Sequence, residues 1–169
     1  MKNHHLLLIR FSALGDVAMT VPVIRSLYHT YPDLKITFVS RPYVAPLFAE
    51  VDNFDFYPTD LKNRHSGIKG LWTLFQELKK IPFSGVADLH GVLRTHLLGV
   101  FFRINGNQFV TIDKGRSEKK ALIRKKSKKF QPLTPSVYRY ADVFRKLGAP
   151  VALEQPEYPE KNEIPKQLL

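Results

Sequence analysis

Asp16 is the residue whose position in the chain most strongly suggests chemistry. The apolar run Leu6–Ile9 is typical of a strand buried on both faces, and the segment FSALGDV (11–17) follows it. In an open parallel sheet, ligands collect beyond the carboxyl ends of the strands. An aspartate there is ionised at neutral pH and can accept a proton from an attacking hydroxyl, an effect worth roughly 10²–10⁴-fold in rate. Asp16 is therefore a candidate general base. The alternative, that it only stabilises a helix N-terminus by about 0.3–1 kcal/mol, is left open by the spacing alone.

Two neighbours of Asp16 are candidate substrate ligands. Gly15 either adopts a positive φ, lets a substrate approach the backbone, or serves an ordinary tight turn. Ser12 either hydrogen-bonds a substrate hydroxyl or caps the helix that follows. The segment lacks the G-x-G-x-x-G spacing of dinucleotide-binding loops, so we do not expect it to hold a nicotinamide cofactor.

A second cluster, DLHGVLR (88–94), follows the predicted fourth strand and should lie at the same edge of the sheet as Asp16. Arg94 suits bidentate recognition of a carboxylate or phosphate. His90 and Gly91 are further candidate substrate ligands, although His90 also fits a structural, hydrogen-bonded histidine. No histidine pair has the spacing of a metal site, and we predict no metal.

Further cations lie at or after the ends of the first three predicted strands. Lys62, Arg64 and His65 belong to a polar loop, which is either a substrate-binding loop or a solvated surface loop. Arg10 and Arg41 each lie at the end of a predicted strand and are weaker candidates for the same edge.

The elements that must position these residues alternate between strand and helix, which predicts an α/β fold with a doubly wound, Rossmann-like parallel sheet. Pro22 should kink the first helix, or restart it with Thr20 as cap. One helix has an apolar face of Ile68, Leu71, Trp72, Phe75 and Leu78, and the segment 92–102 is apolar nearly all round, which predicts a buried helix. The predicted strands are Leu6–Phe11, Lys35–Val39, Phe54–Tyr57, Val86–Ala87 and Phe109–Ile112.

The chain length of 169 residues and the change of composition after Gly148 predict one domain over residues 1–148. Residues 149–169 alternate proline with glutamate, which is typical of a linker, and we expect this linker to lead toward a further domain. The chain has no cysteine and no apolar run long enough to span a membrane, and its first residues do not resemble a signal peptide.

Positive charge is concentrated between Lys114 and Lys129, where nine lysines and arginines accompany one glutamate. This basic segment is either a solvated loop or a contact with an anionic membrane surface, where each cation contributes about 1 kcal/mol. We do not expect nucleic acid as a partner, because the segment holds no aromatic residue before Phe130 on which bases would stack.

Several segments in order resemble the ADP-heptose:lipopolysaccharide heptosyltransferases, which are GT-B-type glycosyltransferases. The resemblance covers roughly residues 6–147. It is carried by FSALGDV (11–17), TVPVIRSL (20–27), ITFV (36–39) with the following Arg41-Pro42, and DLHGVLR (88–94). The second, nucleotide-sugar-binding domain of that family has no counterpart in the chain.

The resemblance implies an inverting, metal-independent transfer of heptose from ADP-heptose to the lipopolysaccharide inner core, with Asp16 as the base. It also implies an acceptor made of an acidic keto-sugar on phosphorylated lipid A, over which the loop with Lys62 and Arg64 would close. The expected location is cytoplasmic, peripheral at the inner face of the membrane. The alternative interpretation is a non-enzymatic α/β module that binds anionic glycolipid or membrane.

Overall fold

A parallel sheet of five strands organises the part of the chain that the computed structural model describes, namely residues 5–49, 51, 53–124 and 131–153. The strand order is β3-β2-β1-β4-β5, so the chain winds outward in both directions from the central β1. This confirms the predicted doubly wound α/β architecture. The strands are β1 (His5–Ile9), β2 (Lys35–Ser40), β3 (Phe54–Pro58), β4 (Gly85–Asp88) and β5 (Phe109–Thr111).

Helices connect the strands and cover both faces of the sheet. They are α1 (Leu14–Ala18), α2 (Val21–Thr30), a 3₁₀ helix (Pro42–Phe48), α3 (Gly67–Leu78), α4 (Leu93–Ile104), α5 (Arg116–Leu122) and α6 (Ser136–Lys146). Successive side chains of a strand point to opposite faces. Thus Leu6 and Leu8 of β1 join the core that contains α2 and α6, whereas Leu7 and Ile9 join the core under α3 and α4.

The first helical region is broken where the sequence predicts a restart. Thr20 is the N-cap residue of α2, and Pro22 occupies its first turn, where a missing N–H costs no hydrogen bond. The hydroxyl of Thr20 nevertheless does not cap α2; it donates to the carbonyl oxygen of Val17 at 2.6 Å and so ties α2 to the end of α1.

The prediction that residues 92–102 form a helix buried all round is wrong. Thr95, Leu98, Gly99 and Phe102 of α4 are buried, but apolar residues on its other face are exposed. The predicted apolar face of α3 is confirmed for Leu71, Phe75 and Leu78, which are buried, but not for Ile68 and Trp72, which are exposed. The reason is that α3 and α4 form a single layer over the sheet, and nothing else in the described part of the chain covers them.

Part of the basic segment is helical. Residues 116–122 form α5, where Glu118 makes a 2.6 Å ion pair with Arg139 of α6. Residues 116–122 of the basic segment therefore form a helix and not a loop. Residues 125–130 lie outside the described structure. Beyond α6, Ala149 is buried, whereas residues 154–169 of the predicted linker also lie outside the described structure.

Candidate functional site

The carboxyl ends of β1 and β4 bring the first two predicted clusters together. The two strands are neighbours, with Ile9 opposite Asp88, so the segments that follow them emerge side by side. The chain leaves β1 into the loop 10–13, where the Ser12–Ala13 peptide bond is cis, and then enters α1, which carries Asp16 in its first turn. The chain leaves β4 into the loop that carries His90 and Gly91.

An ion pair between Arg10 and Asp16 lies at the centre of this edge. Arg10 Nη2 is 2.6 Å from Asp16 Oδ2; the arginine side chain is 7% exposed, whereas that of the aspartate is 52% exposed. Arg10 also donates a hydrogen bond to the carbonyl oxygen of Leu89, and its guanidinium lies 5.5 Å from the centre of the Tyr140 ring. The Tyr140 hydroxyl donates to the backbone oxygen of Asp16 at 3.2 Å. A buried arginine thus holds a carboxylate that remains open to solvent.

His90 joins the two loops through its imidazole ring. The backbone N–H of Phe11 donates to Nδ1 at 3.4 Å, and Nε2 lies 3.4 Å from the hydroxyl of Ser12. Burial, reinforced by the positive charges of Arg10 and Lys114, lowers the pKa of His90 to about 4. The ring is therefore neutral at pH 7. Because Nδ1 accepts a hydrogen bond, Nε2 carries the proton of the neutral ring and donates a hydrogen bond to the hydroxyl of Ser12.

Asp88 shapes the loop that carries His90. Its side chain is fully buried, and Oδ1 accepts hydrogen bonds from the backbone N–H groups of His90 (3.0 Å) and Gly91 (2.9 Å). Gly91 has a φ of 58°, and a Cβ there would lie 3.1 Å from Ile112 Cγ2. The turn therefore requires glycine for its conformation and for space. Within the described residues, Asp88 Oδ2 and Arg10 Nε have no hydrogen-bond partner.

Positive charge gathers around the same edge. Arg10, Arg41 and Lys114 all lie close enough to His90 to disfavour its protonation. Burial and the charges of Arg10 and Arg116 also lower the pKa of Lys114. Arg94, on the first turn of α4, is exposed and has no ion-pair or hydrogen-bond partner among the residues that the structure describes. The edge therefore offers a carboxylate within a positive field, which suits a substrate that carries anionic groups.

The loop with Lys62 and Arg64 borders a separate cleft of about 700 Å³, beyond the ends of β2 and β3. Lys62 and Arg64 are exposed, and Arg41 also lines this cleft. Arg64 is ion-paired with Glu77 of α3, which also lies 3.0 Å from Nε2 of the buried His65. His65 therefore holds the loop against α3 instead of facing a substrate.

The structure brings only some of the predicted site residues into contact. Ser12 contacts His90. Asp16 lies at the same edge, where Arg10 binds both it and the carbonyl oxygen of Leu89. Ser12 does not cap α1, whose N-cap residue is Ala13. Gly15 has no positive φ and makes no tight turn; it lies in the first turn of α1, and a Cβ there would meet nothing within 4 Å. Of its three predicted roles, only a close approach of substrate remains open.

Three further residues complete the edge. The sequence indicates Arg10 as a weaker candidate, through its position directly after the buried strand β1. Lys114 follows β5 and could have been found in the same way. No sequence signal indicates Tyr140, because it reaches Asp16 from a helix more than 120 residues along the chain.

No helix in the described part of the chain has both the length and the apolar character needed to cross a bilayer. Within the same residues, no group of three or more histidine, aspartate or glutamate side chains is arranged to hold a metal ion.

Comparison with known proteins gives one curated relative. The chain is 26% identical over 95 residues to the lipopolysaccharide core heptosyltransferase OpsX of Haemophilus influenzae, and the match covers 56% of this chain and 26% of that protein. No family model matches the chain.

Several solved structures share the fold, including the following two. The glycosyl transferase family 9 protein from Veillonella parvula aligns with a TM-score of 0.61 and 22% identity, over 88% of this chain and 43% of that protein. The Escherichia coli heptosyltransferase WaaC with ADP aligns with a TM-score of 0.63 and 17% identity, over 90% of this chain and 50% of that one.

The chain therefore spans about half or less of the length of the proteins it matches. Its relatives are glycosyltransferases. Its sequence is similar to that of OpsX, and its fold is similar to one Rossmann-like half of the GT-B structures. These similarities confirm the resemblance to the lipopolysaccharide heptosyltransferases that the motifs indicate.

Proposed function

We propose that this chain is the acceptor-binding half of a lipopolysaccharide heptosyltransferase and supplies its catalytic base. The observation that carries the proposal is the solvent-open carboxylate of Asp16, held by the buried Arg10 at the carboxyl edge of the sheet. The similarity to a lipopolysaccharide core heptosyltransferase supports the choice of reaction.

The geometry of the carboxylate suits a base. Oδ2 is engaged by Arg10, whereas Oδ1 makes no hydrogen bond or ion pair with any described residue. Oδ1 would accept the proton of an acceptor hydroxyl while the hydroxyl oxygen attacks the anomeric carbon of the heptose. The bond from that carbon to the ADP leaving group breaks as the new bond forms on the opposite face, which inverts the configuration. ADP-heptose is a substrate here, and we expect its nucleotide to bind the second domain of the family.

Arg10, Arg41 and Lys114 would attract the carboxylate and phosphate groups of a keto-sugar-substituted, phosphorylated lipid A. The exposed Arg94 adds to this positive field, and the exposed Lys62 adds charge at the neighbouring cleft beyond β2 and β3. Arg64 would have to leave Glu77 before it could bind the acceptor, because the two side chains are already ion-paired.

Acceptor binding is the first test. Calorimetric titration of the chain with the de-acylated acceptor, a phosphorylated disaccharide carrying acidic keto-sugars, should show binding that weakens with salt. Asp16→Asn should bind this ligand about as well as the wild type. Equal affinity for the same sugar without its phosphates and carboxylates would contradict the role of the cations.

Transfer is the second test. The chain is joined to the donor-binding domain of a related heptosyltransferase, and heptose transfer from ADP-heptose is measured. Asp16→Asn should lower turnover by at least 10²-fold, which is the contribution expected of a general base. The matched control is Asp33→Asn, at an exposed turn before β2, which should leave turnover unchanged. A loss of less than tenfold for Asp16→Asn with binding intact would refute the base assignment. Acceptor binding without any transfer would instead indicate the glycolipid-binding module.

A further inference from the structure

Large apolar side chains are exposed on the outer faces of α3 and α4. Leu93 is 86% exposed, Ile104 81% and Trp72 47%, and Ile68 and Val100 are exposed as well. A protein that is monomeric in water rarely exposes so many large apolar residues on one face without a partner. We refer to these five residues as the α3/α4 surface.

The five residues form one surface. Residues 93, 97, 100 and 104 are three or four positions apart, so Leu93, Val100 and Ile104 follow one line along α4 together with the half-buried Leu97. Ile68 and Trp72 are one turn apart on α3. The Trp72 ring packs edge-on against Phe101 of α4, with the ring centres 5.1 Å apart, and this contact joins the two helices.

The charges around the α3/α4 surface are almost all positive. The helix α4 carries the exposed Arg94 and contains no acidic residue; its Arg103 donates to the carbonyl oxygen of Phe109 at 3.2 Å. Lys69, Lys79 and Lys80 lie in or just after α3. The acidic residue of α3, Glu77, is 17% exposed and is already paired with Arg64 and His65. Long cationic side chains at the border of an apolar face can reach anionic headgroups while the apolar residues enter the acyl boundary.

We propose that the α3/α4 surface docks onto an anionic lipid bilayer. Apolar residues with a tryptophan among them and a basic border are the composition of an interfacial membrane-binding face. A second copy of the chain fits less well, because a two-fold contact would place these cations against their own copies. The inference goes beyond the proposed function, because it requires neither acceptor binding nor transfer.

The α3/α4 surface lies next to the loops that form the candidate site. Leu93 begins α4 two residues after Gly91, and α3 begins immediately after the loop that carries Lys62 and Arg64. Docking would therefore bring headgroup-level molecules to the edge of the sheet where Asp16 lies. The basic segment 114–129, for which the sequence leaves open a membrane contact or a solvated loop, would then add charge but not the apolar anchor.

Trp72 is the only tryptophan in the chain, so its fluorescence reports on this surface alone. The full chain is mixed with vesicles of phosphatidylcholine, or of phosphatidylcholine and phosphatidylglycerol in equal parts, without any acceptor. With the anionic vesicles, the emission should shift to shorter wavelength, and lipids brominated in the acyl chain should quench it. With the neutral vesicles, both effects should be much weaker. No change in emission with the anionic vesicles would overturn the proposal.

Substitution on the surface completes the test. Leu93→Ser with Ile104→Ser should lower the partition coefficient onto anionic vesicles at least tenfold, while far-ultraviolet circular dichroism stays unchanged because both residues are exposed. The matched control, Ile123→Ser, changes an exposed isoleucine at the end of α5 and should bind like the wild type. Binding that resists the double substitution but is lost on Lys119→Gln with Lys120→Gln would overturn the proposal in favour of the basic segment. A lipid-free dimer that the double substitution abolishes would assign the surface to self-association instead.

Discussion

Arg10 organises the candidate site because one planar guanidinium serves two acceptors from different parts of the chain. It binds the Asp16 carboxylate after β1 and the Leu89 carbonyl after β4. A lysine carries the same charge but not the fixed fork of donors, so it cannot serve both acceptors in this geometry. The orientation of Asp16 therefore depends on arginine and not on charge alone.

Arg10→Lys should lower the free energy of unfolding by about 1–3 kcal/mol, because a buried acceptor loses its charged donor. Urea denaturation measures the change. The control Arg145→Lys alters an exposed arginine that pairs with Asp142, and it should change the free energy by less than about 0.5 kcal/mol. Equal effects of the two substitutions would show that Arg10 is not a structural centre of this edge.

The low pKa of His90, about 4, makes stability depend on pH with a defined sign. An unfolded chain protonates this histidine near 6.5, so between about pH 6.5 and 4 the unfolded state binds more protons than the folded state. The free energy of unfolding should therefore fall as the pH falls through this window. Urea denaturation at a series of pH values should show a smaller fall for His90→Gln than for the wild type. His5, whose pKa is lowered mainly by burial, contributes in the same direction and should preserve part of the fall. Identical slopes for variant and wild type would contradict a neutral, buried His90.

At the scale of elements, two helical glycines with ordinary φ values serve different purposes. In α3, a Cβ on Gly70 would lie 2.4 Å from the backbone carbon of His65, so glycine lets the helix touch the loop 61–65. In α1, a Cβ on Gly15 would point into open space. Sequence inspection cannot separate these cases, because the neighbour that makes the glycine necessary is identified only by the packing.

Gly70→Ala should lower the free energy of unfolding by about 1–3 kcal/mol, because backbone atoms must move to admit the methyl group. Gly15→Ala, the matched control, should leave stability unchanged or raise it by up to about 1 kcal/mol through helix propensity. Thermal or urea unfolding compares the two.

Gly15→Ala also tests the remaining role of that glycine. If the acceptor approaches the backbone of α1, the variant should bind the de-acylated acceptor at least several-fold more weakly despite its intact stability. Unchanged acceptor affinity would leave Gly15 without a binding role.

At the scale of the whole molecule, α6 and the residues after it close one face of the sheet. Tyr140, Val143 and Phe144 of α6 join the core over that face, and Ala149 is buried beside them. Val151 and Leu153 pack against the same core, and the Tyr31 hydroxyl donates to the carbonyl oxygen of Pro150 at 2.9 Å. These contacts bear on the predicted domain boundary at Gly148, which stays a prediction.

A chain that ends at residue 148 should be less stable than one that ends at residue 153, by about 2 kcal/mol. The shorter chain loses the apolar burial of Ala149, Val151 and Leu153 and the hydrogen bond from Tyr31. Urea unfolding of the two chains measures the difference. Equal stabilities would support the boundary at residue 148 that the composition predicts.

The sequence alone predicts the alternation of strands and helices, because the periods of apolar residues and the helix-breaking prolines are local features of the chain. It also predicts that Asp16 and His90 lie at one edge, because the carboxyl ends of parallel strands meet there. Their local motifs supply the resemblance to heptosyltransferases as well. Each of these predictions depends only on residues that are close in sequence or on the general geometry of parallel sheets.

Only the tertiary structure decides which partners these residues meet. Asp16 is bound by Arg10 and Tyr140, and Arg64 forms an ion pair with Glu77. One side of the apolar helix α4 is exposed to solvent. The contacts of Asp16 and Arg64 join residues whose spacing along the chain follows neither the helical nor the strand period. The uncovered side of α4 depends on how many layers of helix cover the sheet. Burial and pairing are properties of the packed molecule, so a composition as apolar as that of α4 cannot reveal which of its faces the rest of the chain will cover.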